Sequence, residues 1–430
     1  MNVCPKCFSN SILERRITEI RPSFPDGQKC DLHPNRKGVP LEEIGKIIDP
    51  ALRGNYTIGE WMFDHQAGDD LYTVVSETTG AEEDEVISSL VSWLTENDTY
   101  WPQDGEEAFY ADDQSYVRLK PDGWHHSSLW RRFREEILFR QRFFSETARE
   151  LLRDIFDGIQ NQTDIAGKPA FYRLDPEDGM ELFRARLIGG DADYKEIAAD
   201  PASRMGAPPA HLRRAGRMNA AGIAVFYGAT DTDTAIAELR PAVGAFVCIA
   251  TFKLRRPLHV LDLTRFTRPG KQIDIFAKNQ VKRSTQWAFM QSFSNEISKP
   301  ILPGDEHLEY VPAQVVAEYL ARHPMKWRGE EVAVEAIIFR SAQNPSGKNI
   351  AIVGDAAEAI RSDDAGHSFS PSPSSNTTDF DIFEFATMPR HPPTPGLELD
   401  GKSLTQFEIT AARFGREQAY FPSAEGPDDF

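Results

Sequence analysis

Gly216–Leu239 reads GRMNAAGIAVFYGATDTDTAIAEL, and the interpretation of this stretch decides the fold. Ala221–Ala229 is a short apolar run holding Phe226 and Tyr227 and punctuated by Gly222 and Gly228. That pattern predicts a buried strand. Asp231 and Asp233 then offer helix N-caps, and Thr234–Arg240 supplies a short helix that Pro241 stops. One compact unit thus sets Arg217 before a strand, Tyr227 in it and Glu238 on the helix that follows. Further along, Ser341 closes another apolar run, Val332–Phe339.

Other segments agree with this frame: Phe183-Arg-Ala-Arg186 before it and Gly347-Lys-Asn-Ile-Ala-Ile-Val353 after it. Arg217 and Tyr227 are ten positions apart, and Glu238 follows eleven later. In order and spacing, the stretch from about Phe183 to Val353 resembles the RES domain, named for an arginine, a glutamate and a serine. The resemblance implies an α+β fold of ADP-ribosyltransferase type and a bacterial toxin that destroys NAD. It implies catalytic roles for Arg217, Tyr227, Glu238 and Ser341, with Arg184, Arg186, Arg217 and Tyr227 holding NAD. Glu238 and Ser341 lie further apart than in compact members, which places an insertion between them.

NAD chemistry suits these residue types. The bond to nicotinamide breaks through an oxocarbenium-like state, so a fixed carboxylate near the ribose helps most as charge develops. Glu238 is the candidate. Arg217 offers a planar fork matched to phosphate oxygens, and Arg184 or Arg186 a second clamp. Tyr227 brings a flat face or a hydroxyl, and Ser341 donates and accepts in one small group. Taken singly, each has a plainer reading: a surface charge, a core aromatic, a solvated helix residue, a turn serine. Two acceptors stay open for NAD cleavage, water and inorganic phosphate, and Arg213 and Arg214 add charge that suits phosphate. The alternative function is an ADP-ribosyltransferase that modifies a macromolecule. A catalytically dead binding module is disfavoured, because every motif residue is present.

The chain has 430 residues, enough for two or three domains with their own cores. Its net charge of −18 argues against nonspecific nucleic-acid binding, which needs a basic surface. No apolar run reaches membrane-spanning length and no signal-peptide core opens the chain, so a cytoplasmic location is expected. Four cysteines make no disulfide framework. Three of them fall in the first thirty residues, as Cys4-Pro-Lys-Cys7 and Cys30-Asp-Leu-His33. Two such knuckles supply the four ligands of a structural zinc, and Pro22, Pro25 and Gly27 let the chain turn back between them. Cys248 lies in an apolar run and reads as core.

From Pro40 to about Gln160 the pattern is helical. Leu41–Ile48 and Glu85–Leu94 carry helical apolar spacing, and the longest predicted helix runs from about Ser128 to Ile159. Its arginines read as a solvated face. This region resembles the zinc-knuckle and HEPN-like extension found before some RES domains. Arg118 and His125 have the spacing of HEPN ribonucleases, but Pro121-Asp-Gly123 interrupts them, so ribonuclease activity is not carried over. His125 and His126 read as exposed loop residues. RES toxins are usually silenced by a partner, so an antitoxin or regulatory protein is expected. The expected layout is a knuckle over 1–39, a helical domain over 40–165, the RES domain over 166–355 and a low-complexity tail over 356–430. In that tail, Ser368–Thr378 and His391–Pro395 are too polar and proline-rich to order themselves, while Gln406–Phe414 can dock back; Glu425–Phe430 is an acidic end.

Overall fold

The computed structural model describes residues 1–25, 28–98, 108–111, 113–301, 304–361 and 394–411. Gly27, Ser368–Thr378, His391–Pro393, the end of Gln406–Phe414 and Glu425–Phe430 lie outside the described residues. The chain divides into two compact units. One is Met1–Ala170 with Arg265–Phe293, and the other is Phe171–Thr264 with Ser294–Phe430.

In the first unit, Asn2–Val3 (β1) pairs antiparallel with Val39–Pro40 (β2). Between them lies the helix Ser11–Ile20 (α1), whose cap Asn10 accepts from the Ile12 and Leu13 N–H groups. Leu41–Arg53 (α2) buries Leu41, Ile44, Ile47 and Ile48 along one face, as their spacing predicts. There follow the short strands Tyr56–Ile58 (β3), Trp61–Met62 (β4), His65–Gln66 (β5) and Asp69–Asp70 (β6), the helices Leu71–Thr79 (α3) and Asp84–Glu96 (α4), and Ser115–Arg118 (β7). Helices α1 to α4 share one core, to which residues 265–293 add Ile275 and Phe276.

The long helix expected from Ser128 to Ile159 is instead two helices, Trp124–Glu135 (α5) and Glu146–Phe156 (α6). A π-helical turn over Glu136–Arg140 ends the first, and Phe144 takes a left-handed φ of 55° that no helix continues through. Ser145 then starts α6 by accepting from the Ala148 N–H at 3.1 Å. Phe144, inside the stretch expected to be helical, is fully exposed. His126 also departs from expectation. It sits on α5, 2% exposed, with its ring stacked 6.0 Å from that of Phe289. Burial, with His125 and Lys282 nearby, pulls its pKa down to about 4.

The second unit is built on a ten-stranded mixed sheet. In chain order its first members are Phe171–Leu174 (β8), Glu181–Ile188 (β9), Val225–Ala229 (β10), Phe246–Leu254 (β11) and Leu258–Asp262 (β12). Asp191–Ala199 (α7), Pro201–Met205 (α8) and Thr232–Glu238 (α9) lie among them in sequence; Gln280–Ser298 (α10) belongs to the first unit up to Phe293 and to the second from Ser294, and Glu306–Glu309 (α11) and Val311–Arg322 (α12) follow it. A hairpin of Met325–Trp327 (β13) and Glu330–Val332 (β14) precedes Ala336–Arg340 (β15) and Lys348–Val353 (β16). Ala359–Arg361 (β17), Leu397–Leu399 (β18) and Thr405–Glu408 (β19) complete the sheet. Its order is β17-β18-β11-β9-β10-β16-β15-β12-β8, and β19 also pairs with β11. The fold is α+β.

Two strands differ from their sequence reading. Strand β10 starts at Val225 rather than Ala221, because Gly222 takes a φ of 87°. The run Val332–Phe339 is shared between β14 and β15, with the Val334 N–H turned to the Leu320 carbonyl.

The two faces of the sheet have different cores. Phe226, Cys248, Ala250, Phe252, Ile350 and Ile352 pack on one face with Leu182 and Ile188. On the other, Ala185, Ala229, Val247 and Ile249 pack with Ala235 of α9. Strand side chains alternate between faces, so this division fixes where each polar residue of the central strands points.

Candidate functional site

Strand β10 and helix α9 form the strand–helix unit read from the sequence. Asp231 caps α9: one carboxylate oxygen accepts from the Thr234 N–H and the other from the Thr234 hydroxyl, both at 2.7 Å. Asn344 donates to that same hydroxyl at 2.8 Å, tying the loop after β15 to the helix start. Gly347 makes this approach possible, since a Cβ there would stand 2.0 Å from the Thr234 hydroxyl oxygen.

Glu238 ends α9 and is exposed, yet its Oε1 is held by two buried donors. The Ser341 hydroxyl donates to it at 2.6 Å and the Asn349 amide at 2.7 Å. Ser341 in turn accepts from the backbone N–H groups of Gln343 and Asn344, at 3.1 and 3.0 Å, which fixes where its oxygen lies. Asn349 is a site residue that sequence reasoning left without a role. Its signal is a lone amide next to the apolar run Ile350–Val353.

Tyr227 shares the face of Ala229 and Asn349. In the ladder Tyr227 stands opposite Ala351, and Ala229 opposite Asn349, so the tyrosine occupies the row next to the Glu238 cluster. Two residues along a strand span about 6.6 Å. The Tyr227 hydroxyl accepts from the Met218 N–H and donates to Asn219 Oδ1, each at 2.8 Å. Burial pushes the Tyr227 phenol well above its ordinary pKa, so the hydroxyl stays neutral. Asn219 braces the turn by donating to the Arg214 and Ala220 carbonyls, and Gln314 of α12 donates to the Gly216 carbonyl. A Cβ at Gly216 would lie 2.7 Å from the Tyr227 oxygen, so this turn needs glycine.

Arg217 leaves the turn and spans the end of α10. Its guanidinium donates to the Ile297 carbonyl at 2.5 Å and to the Lys299 carbonyl at 3.0 Å, with the Tyr310 ring 5.3 Å away. Free C-terminal carbonyls carry the negative end of the helix dipole, which suits a cation. Arg213 is committed to backbone, donating to the Pro208 carbonyl at 2.7 Å, while Arg214 is exposed.

Arg184 and Arg186 have no hydrogen bond to this group among the described residues, although the Arg184 charge still acts on the Tyr227 phenol. On β9 they alternate onto the face of Leu182 and Ile188, opposite to the face of Tyr227 and α9. The Arg184 guanidinium lies 5.3 Å from the Phe226 ring, and burial together with Arg186 pulls its pKa down to about 10. Glu238 and Ser341 thus meet, with Tyr227 in the neighbouring row of the same face and Arg217 on the turn that Tyr227 anchors.

A second centre lies in the first unit. Cys4, Cys7, Cys30 and His33 place their four ligand atoms within 4.8 Å of one another. Cys7 Sγ is 3.5 Å from both Cys30 Sγ and His33 Nδ1, and His33 Nδ1 is 3.6 Å from Cys4 Sγ and 3.7 Å from Cys30 Sγ. A tetrahedral ion with bonds of about 2.3 Å to sulfur and about 2.0 Å to nitrogen requires edges of roughly 3.5–3.8 Å. The four distances above match those edges. All three thiols are buried, and without a cation burial pushes Cys7 up to about 12, so an ion is what would hold it as thiolate. This group could hold a metal ion. Cys248 is buried in the sheet core, as expected.

These features define an α+β domain with an exposed carboxylate braced by a serine and an asparagine beside an anchored tyrosine. Residues 181–371 match the family model of the RES domain, and the chain carries a RES domain. No curated protein and no solved structure matches the chain. At this coarse level, a RES domain is consistent with action on NAD. Among the described residues, no helix is long and apolar enough to cross a membrane.

Proposed function

We propose that the protein cleaves NAD at the nicotinamide–ribose bond, with water or inorganic phosphate as acceptor, and acts as a toxin by depleting NAD. The observation that supports this is the Glu238 carboxylate, exposed at the end of α9 and held through Oε1 by Ser341 and Asn349. That leaves Oε2 to take a ribose hydroxyl and to face the cation that develops at the ribose. In the reaction the ribose–nitrogen bond breaks and its electron pair neutralises the pyridinium of nicotinamide. An oxygen of water or phosphate forms the new bond to the ribose carbon, and a proton leaves to solvent. The carboxylate acts on charge that exists only near the transition state. Tyr227 offers its ring in the neighbouring row, since its hydroxyl is committed to Met218 and Asn219. Arg217, anchored on two carbonyls, keeps further N–H donors for the pyrophosphate.

Zinc is the ion we propose for Cys4, Cys7, Cys30 and His33, where it would crosslink the knuckle and take no part in the reaction. The test of function is to incubate the purified chain with NAD, with and without phosphate, and to identify products. Free nicotinamide with ADP-ribose or its phosphate is the expected result. Nicotinamide release only when a macromolecular acceptor is added would make the protein a transferase instead.

A further inference from the structure

The first unit contains a cavity of about 680 Å³ that has no part in the chemistry above. Arg118, Lys120, Lys271 and Arg283 line it, and no carboxylate does. Among the described residues, none of these four cations is in an ion pair. In a chain of net charge −18, four unpaired cations around one concavity form a local field opposed to the global one.

The wall also holds unmet hydrogen-bonding groups. Gln280 is 7% exposed, and its Oε1 is buried without a partner. Arg283, one turn along α10, has a buried Nε in the same condition. The orphaned acceptor and donor sit behind the wall of the cavity, closed to solvent, while other atoms of the same two side chains line it. They lie at the N-terminal end of α10, where backbone N–H groups favour anions. Apolar surface from Leu119, Ile273 and Trp287 completes the lining.

We propose that this cavity binds a nucleoside diphosphate. The exposed Arg118, Lys120 and Lys271 suit the diphosphate, and Gln280 with Arg283 suits the donor and acceptor groups of a base or ribose. A bare phosphate would leave most of the space empty, since cavities of ~300–1,000 Å³ hold ligands of drug size. A nucleic-acid strand needs an extended basic track, which a strongly acidic chain does not favour.

The test is calorimetric titration of the full chain with ADP as probe. It is run on Arg217→Ala, to suppress binding at the NAD site, and on the same chain with Lys271→Glu or Gln280→Leu added. Lys271 is on the surface, so its reversal leaves folding intact. The expected result is one binding event in Arg217→Ala that weakens at least tenfold with either added change, together with ADP-dependent protection of residues 268–291 from amide exchange. Absence of binding at millimolar ADP overturns the proposal. So does binding that ignores both added changes, or binding of a single-stranded oligoribonucleotide where ADP fails.

Discussion

Asn349 donates its side-chain amide to Glu238 Oε1 at 2.7 Å, so a residue inside the sheet positions the acid at the end of α9. Asn349 is buried while Glu238 is exposed, and the bond therefore fixes the carboxylate from behind.

That pair makes a divided prediction. Glu238→Gln should lower kcat for nicotinamide release by about 10²–10³ with little change in KM, because the lost interaction belongs to the transition state. Asn349→Ala leaves the acid in place but frees it to rotate, and should cost about tenfold in kcat, equivalent to one ordinary hydrogen bond. Steady-state kinetics separate the two. Wild-type turnover in Glu238→Gln would remove the site from α9.

Arg217 should behave differently. Its fork spans two carbonyls at the end of α10 and should also meet the pyrophosphate in the ground state. Arg217→Lys keeps the charge but cannot bridge both carbonyls. It should raise KM for NAD and lower the thermal midpoint together. A raised KM with an unchanged midpoint would show that the carbonyl contacts contribute nothing to stability.

Metal content tests the knuckle. Protein purified without added zinc should carry about one equivalent, and Cys7→Ser should lose it along with part of the folding cooperativity. Because the thiols must shed protons to bind, and burial holds Cys7 up at about 12 without the ion, retention against a chelator should improve steeply as pH rises. A metal-free sample with unaltered melting would refute the assignment.

His126 predicts a pH dependence of stability. Its folded pKa is about 4 against an ordinary 6.5, so the folded state holds it neutral. The stability it contributes is fully present above about pH 6.5 and is lost as pH falls through that value toward 4. The total is on the order of 3 kcal/mol. His126→Phe should flatten this part of the profile, read as the difference in urea midpoint between variant and wild type at pH 7.5 and 4.5. Parallel profiles would show that His126 titrates normally.

What was legible in the sequence was local. The β10–α9 unit follows from an apolar run, an Asp cap and a proline stop, all within 25 residues, and the metal ligands follow from spacing. What was not legible depends on register and on single dihedral angles. Asn349 acquires its partner only once β16 is aligned on β10. The break between α5 and α6 turns on a left-handed Phe144, which no apolar period reveals. Arg184 and Arg186 lie between. Leu182–Arg186 reads as a strand, and its alternation puts both arginines on the face of Leu182, but which face carries α9 follows only from the neighbouring strands.

Glu238 and Ser341 are 103 residues apart in the chain. At ~5–20 residues per second, a ribosome that has just placed Glu238 needs roughly 5–20 s more to supply the serine that braces it. The strand bearing Asn349 follows Ser341. Until both have emerged, the pair of side chains that holds Glu238 Oε1 is incomplete. The distance in sequence between two side chains that touch in the finished protein thus sets a delay between the synthesis of the acid and the synthesis of what holds it.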